Sequence, residues 1–398
     1  MGRAGVALVA TWAVTAARAA DVNFRPTLSF GLFHDGNIAV TGEGQGDDNA
    51  ALAFDLAVDR NTPTSTFSFS YRPAYVAYRE SRDLNYFGNT VVLGFTREAS
   101  RTSRFTLTTY VSSTDYQGLT PDTTDQATTY VPRTTLSQAN LKVSGTHGAG
   151  RRGFVDWQLR GGFDRYDDLS DNPATTGVVD PVEFNDATAF GGLIAWRGEL
   201  TARNTLGVAL DVAQFGYEST PSAVVEFIGL VGTSELSSFW MLDYSAGASR
   251  ANVEGDSISG FSFEAKIAYQ VAQASTFKAG ARQAFAPGTG LGGPTQDRGV
   301  WVAFAQAPTA RGLSGSVLAG YWQREELAFA SSPVAADSSS YTVNGSIGWN
   351  FNRYLELDAY YAFVDQSARN VADPTPAPTL DTQYDSYGIY LRWAIRGR

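Results

Sequence analysis

Large apolar residues alternate with small or polar ones through most of the chain, and this period of two restricts the fold more than any other feature. In "FRPTLSFGL", Phe24, Pro26, Leu28, Phe30 and Leu32 share one side, while Arg25, Thr27, Ser29 and Gly31 share the other. Leu52, Phe54, Leu56 and Val58 oppose Asp55 in the same way, and Phe67, Phe69, Tyr71, Pro73, Tyr75 and Ala77 oppose Ser68, Ser70 and Arg72. The pattern returns at Val155, Trp157, Leu159 and Phe163, at Leu206, Val208, Leu210 and Val212, and at Phe261, Phe263, Ile267 and Tyr269. It recurs at Tyr341, Val343, Ile347 and Trp349, and at Leu355, Leu357, Tyr361 and Phe363. Successive strand residues point to opposite faces, so the chain reads as β-strands, with no competing helical period.

Alternation suits a soluble sandwich as well as a transmembrane barrel, and three further features separate them. The segments run about 10 to 14 residues, long for globular strands but right for a tilted bilayer crossing. Aromatic residues gather towards strand ends, at Tyr75 and Tyr78, Trp196, Tyr321 and Trp322, Trp349 and Phe351, and Trp393, as interfacial girdles require. The connections also alternate in kind. "EASRTSR", "HGAGRR", "LTARN", "APTARG" and "NFNR" are short and basic, whereas "DGNIAVTGEGQGDDN", "LTPDTTDQATTYV", "YDDLSDNPATTGVVDPVEFND" and "SARNVADPTPAPTLDTQYD" are long and mostly acidic. Short periplasmic turns and long external loops are the habit of outer-membrane barrels.

The expected fold is therefore all-β, a transmembrane antiparallel up-and-down β-barrel. Clear strand candidates number about 17, and a single-chain bacterial barrel needs an even count. The stretch "AVVEFIGLVG", a turn at "TSE" and then "SSFWMLDYSAG" supplies one more, giving roughly 18, with 16 as the neighbouring alternative. The opening "MGRAGVALVATWAVTAARAADV" has an early arginine, an apolar run and a small-x-small site, so residues 1–20 read as a secretory signal peptide. Residues 21–398 then form a single barrel domain.

The last strand is "SYGIYLRW". Ser386, Gly388, Leu391 and Trp393 occupy the specified places of a polar, x, Gly, x, x, apolar, x, aromatic pattern. The stretch resembles the C-terminal insertion signal of Gram-negative outer-membrane barrels, which implies the barrel-assembly machinery as a partner. The segment from Phe67 to Tyr116 resembles, in texture, uncharacterised β-barrel porins that include barrels of exopolysaccharide export or sorting systems. That resemblance implies a channel and assigns no individual residue.

Alternation turns Arg25, Asp55, Arg72, Lys142, Asp156, Arg160, Arg197, Glu199, Asp211, Asp243, Glu264, Lys266, Lys278, Arg282, Arg324, Glu356, Asp358 and Arg392 towards the barrel interior as candidate pore-lining residues. A mid-membrane Arg or Lys on the lipid face would cost about 2 to 4 kcal/mol, so this parity is a physical constraint. Mixed signs favour a transverse field over strong selectivity for either sign of ion.

Other chemistry is sparse. With no cysteine there is no disulfide, thiol nucleophile or Cys-ligated metal, and no metal site or cofactor is expected. A net charge of −10 argues against nucleic acid. Of the two histidines, His34 lies beside Asp35 at the outer end of the first strand and is the one suited to lipid hydrolysis, while His147 falls in a short basic turn. Asp164, Asp167, Asp168, Asp171 and Asp180 suggest solvated acidic loops, with divalent cations bridging to lipopolysaccharide as the sharper reading. The expected function is a porin-like channel for passive passage of small hydrophilic solutes or saccharides, and the expected partners include outer-membrane lipid and lipopolysaccharide. A closed structural or adhesive barrel, and an outer-membrane lipid hydrolase dependent on His34, are the alternatives.

Overall fold

The computed structural model describes residues 22–36, 46–116, 134–150, 152–166, 186–218, 221–287, 294–309, 312–327, 329, 336–370 and 380–395. The expected signal peptide lies outside them. Eighteen strands follow in chain order: β1 (Val22–Asp35), β2 (Asp47–Thr62), β3 (Ser65–Tyr78), β4 (Tyr86–Ser100), β5 (Ser103–Tyr116), β6 (Thr134–Gly148), β7 (Gly153–Tyr166), β8 (Ala187–Thr201) and β9 (Asn204–Tyr217). The second half comprises β10 (Ala223–Glu235), β11 (Trp240–Val253), β12 (Asp256–Ala272), β13 (Ser275–Pro287), β14 (Pro294–Gln306), β15 (Leu313–Glu326), β16 (Ala336–Asn350), β17 (Leu355–Asn370) and β18 (Leu380–Ala394).

All strands belong to one sheet in which sequence neighbours pair. β1 also pairs antiparallel with β18, from Thr27 opposite Ala394 to Asp35 opposite Ser386. The sheet therefore closes on itself, as a membrane requires of β-structure. Just past the last strand, the Ile395 N–H donates to the Pro26 carbonyl at 2.8 Å, tying the chain ends together.

Register carries each face around the barrel. Leu28 lies opposite Phe54, Leu56 opposite Tyr71, Val91 opposite Val111 and Leu210 opposite Ile228. The apolar face is bare of protein: Phe190 is 67% exposed, Ile347 64% and Ile228 57%. In water such a coat would aggregate; lipid is the solvent that matches it. The strands, from 13 residues in β10 to 17 in β12, exceed the roughly 9 to 11 needed to cross the hydrocarbon. Their ends therefore stand clear of it. Along β11 the outward side chains are Trp240, Leu242, Tyr244, Ala246 and Ala248, and only then Arg250 and Asn252.

Girdle packing is visible at both ends. Trp240 stacks on Tyr269 at 4.3 Å and Trp349 on Phe351 at 5.3 Å at the end carrying the chain termini, and Tyr321 meets Tyr341 at 4.7 Å at the outer end. Two expected girdle residues are corrected. Tyr78 and Trp322 are each 4% exposed and sit on the inner face, because they fall on the opposite parity to Tyr75 and Tyr321.

The connections also differ from expectation. The "TSE" residues are not a turn: β10 runs through Glu235, the Thr233 hydroxyl donates to Asp243 at 2.8 Å, and the turn is 236–239. Nor are the outer connections uniformly long. β11 and β12 join through Glu254 and Gly255 alone, at φ 49° and 95°. That is the left-handed pair of a tight hairpin, where glycine has no Cβ to clash. β9 and β10 are separated by only five residues, 218–222. Between β3 and β4 a single 3-10 turn (Arg82–Leu84) places Leu84 against Val76 and Tyr78 on the inner face.

Candidate functional site

The face opposite the apolar coat carries all eighteen charged residues singled out above, and it joins many of them between strands. Arg72 on β3 meets Asp55 on β2 at 2.9 Å, and the Ser70 hydroxyl donates to the same carboxylate at 2.8 Å. Arg197 on β8 donates through Nε to Asp156 on β7 at 2.6 Å, and the Thr146 hydroxyl adds a bond of 2.7 Å. Arg160 on β7 reaches both Asp211 oxygens on β9, at 2.9 and 3.0 Å. It can skip β8 because Gly191, opposite it there, has no side chain. Arg392 on β18 bridges Glu356 at 3.1 Å and Asp358 at 3.3 Å on β17, and Lys266 meets Glu264 at 3.2 Å on β12. Arg25 pairs with Asp59, and Asp243 is held by Thr233.

Three residues stand apart. No described residue forms an ion pair with Lys142, Glu199 or Lys278. Arg324 is the opposite case. It is buried against Asp297, which its Nε meets at 3.0 Å, and Thr295 donates to that carboxylate at 2.9 Å. Asp59 shares the parity of Asp55 and was legible in "DLAVDR"; Asp297 was missed because "TQDRG" was not read as a strand.

A second inner-face cluster had no sequence signal. Asp35 is 3% exposed and accepts four hydrogen bonds: Asn49 Nδ2 at 2.7 Å, and the hydroxyls of Tyr78, Tyr384 and Ser386, each at 2.9 Å. The donors come from β2, β3 and β18, so one carboxylate ties the strands on both sides of the closing seam. Below it, Phe33 packs on Tyr390 at 4.5 Å and Tyr360 at 5.6 Å. A Cβ on Gly388 would fall 2.2 Å from the Phe33 ring, so glycine is what lets that ring lie against the wall. Ser386 and Gly388 thus face inward, while Leu391 and Trp393 are exposed on the apolar face.

His34 lies on the outer surface rather than inside. Its Nδ1 is 2.9 Å from Asp48 and its ring 5.0 Å from that of Tyr387. Among the described residues no hydroxyl is hydrogen-bonded to it. His147 is in β6 rather than a turn, with Nδ1 2.6 Å from Ser103 Oγ at the far end of the barrel. Asp164 belongs to β7 and not to a loop, while Asp167, Asp168, Asp171 and Asp180 lie outside the described residues. No group of three or more potential metal ligands occurs among the described residues.

A closed antiparallel wall, apolar outside, girdled by aromatics and charged inside, is that of a Gram-negative outer-membrane β-barrel, and the outer membrane is its location. No protein-family model and no curated protein matches the chain. Likeness to solved structures is distant. The FrpB iron transporter of Neisseria meningitidis is 10% identical over 96% of this chain and 84% of its own, at a TM-score of 0.46. OccK2 (OpdF) of Pseudomonas aeruginosa is 12% identical over 94% of this chain and 98% of its own, at 0.44. OccAB3 of Acinetobacter baumannii is 10% identical over 94% and 100%, at 0.45. At these values the comparison carries no argument about this chain, whose fold class rests on its own sheet.

Proposed function

We propose that the barrel is a passive channel for small hydrophilic solutes, saccharides and exported polysaccharide among them, with the charged inner face as its lining. The carrying observation is the contrast between the two faces of one closed wall: bare apolar side chains outside, charged residues joined between strands inside. Barrels of 16 to 18 strands are wide enough to hold an aqueous lumen. Carboxylates and guanidinium groups alternating along the wall that bounds it set local fields that order water and orient dipolar solutes. The exposed Leu391 and Trp393, with Ser386 and Gly388, are proposed as the element that the assembly machinery reads. The outward Glu226 and Arg250, opposite each other just above the apolar band, are proposed to meet lipopolysaccharide headgroups.

The purified, folded barrel in a planar bilayer should pass current and admit small sugars in liposome swelling. Lys142 and Lys278 have no ion-pair partner among the described residues, so their charges are the least compensated on the wall. Replacing both by glutamate should shift the reversal potential in a potassium chloride gradient towards cation preference, with folding unchanged. Absence of both current and solute uptake from folded protein would reject the channel. A closed structural or adhesive barrel is the second reading, favoured by the apolar cluster on the inner face near the outer end.

A further inference from the structure

The inner face changes character near its outer end. Ala213, Phe215, Ala223, Ala251 and Val253, on β9 to β11, have inward parity, yet they form a buried apolar cluster instead of a wetted wall. The residues covering them come from elsewhere in the sheet. Phe285 on β13 and Phe329, just past β15 and 5% exposed, belong to the same cluster, and Leu327 packs against it.

Phe285 should not reach this place if β13 stayed in the wall. By register it shares a face with Ala281 and Gln283, on the lipid side, opposite to the cluster. The pairing explains how it gets there. β12 continues to Asp256 and β13 to Pro287, but their ladder stops at Phe263 opposite Gln283. β13 and β14 stay paired out to Pro287 opposite Pro294. β13 also comes within 8 Å, Cα to Cα, of β11, its second neighbour. A Cβ on Gly260, on the inward side of β12, would lie 3.0 Å from Phe285 Cζ. The outer end of β13 has therefore left the line of the wall and lies inside it, with its former lipid side on the inner face of β11 and β12, while it stays laddered to β14, and β14 to β15 as far as Glu326. The buried Arg324–Asp297 pair braces the β14 end against β15.

We infer that this inward-turned end, with Phe329, is an apolar lid over part of the outer mouth, and that Phe285 and Phe329 set the size limit for entering solutes. The charged mid-wall then acts on solutes that the lid has already admitted. The inference rests on the channel reading for its function but not for its geometry. Apolar contacts suit this role, because they can be removed without leaving buried charges unpaired.

The chain has no cysteine, so a Gly260→Cys/Phe285→Cys pair can be bridged without background by a short bis-methanethiosulfonate reagent in the folded protein. Mass spectrometry should show an intramolecular bridge. Failure to bridge while both thiols react singly would overturn the lid. The Phe285→Ala/Phe329→Ala variant, confirmed as folded by its heat-modifiable gel mobility, should show a single-channel conductance about twofold higher and faster liposome swelling with a tetrasaccharide. A bridge together with unchanged conductance and swelling would overturn the role in size selection. If neither the wild type nor the variant passes current, the channel reading fails, and the bridging result alone then decides the lid.

Discussion

Asp35→Ala is expected to destabilise the closed barrel by about 3 kcal/mol or more, since each buried donor left without an acceptor costs about 1 to 3 kcal/mol. Four donors converge on that carboxylate from β2, β3 and β18. The loss should fall on the closing seam, where β1 meets β18. Asp35→Asn should be intermediate: the amide keeps the shape, but its NH2 group faces donors where an oxygen accepted two bonds. Urea unfolding in detergent, followed by tryptophan fluorescence, measures the change. A loss below about 1 kcal/mol for the alanine variant would show that the seam is held by its backbone ladder alone.

Leu230→Arg should cost about 2 to 4 kcal/mol, the range for a basic side chain near the bilayer midplane of a barrel. Leu230 is near the middle of the apolar band of β10 and flanked on its exposed face by Val208 and Ala246. Neither offers a partner to a guanidinium group. An arginine at Val231, one residue away and on the inner face, should cost far less because a wet lumen can solvate it. The difference between these adjacent positions, read from unfolding in lipid vesicles, isolates the contribution of the outer face from that of β-propensity. Equal costs would mean that both sides of β10 meet the same solvent.

The closed all-β barrel was legible because a period of two is preserved through every antiparallel pair, and because strand lengths exceed what a soluble sheet needs. The charged parity was legible for the same reason, as Arg72 and Asp55 or Arg392 and Glu356 illustrate. What escaped has identifiable causes. Tyr78 and Trp322 stand within three residues of true girdle aromatics, so grouping by position hid their opposite parity. The "TSE" residues look like a turn by composition, but ladder pairing extends β10 through them. The donors to Asp35 are 14 to 351 residues away in sequence, beyond any local pattern. The inward turn of β13 leaves alternation intact, because a strand that leaves the wall keeps its own period while its neighbour changes.

Site-directed spin labelling along β17 tests the outward-facing lipid coat most directly. Single cysteines from position 355 to 364, each carrying a nitroxide, would be read in lipid vesicles for collision with oxygen, which concentrates in the bilayer, and with a water-soluble nickel chelate. Oxygen accessibility is expected to peak at the odd positions, those of Leu357, Ala359, Tyr361 and Phe363, and to fall at the even ones, those of Glu356, Asp358, Tyr360 and Ala362. Oxygen accessibility without a two-residue period, or nickel accessibility highest at the odd positions, would contradict it.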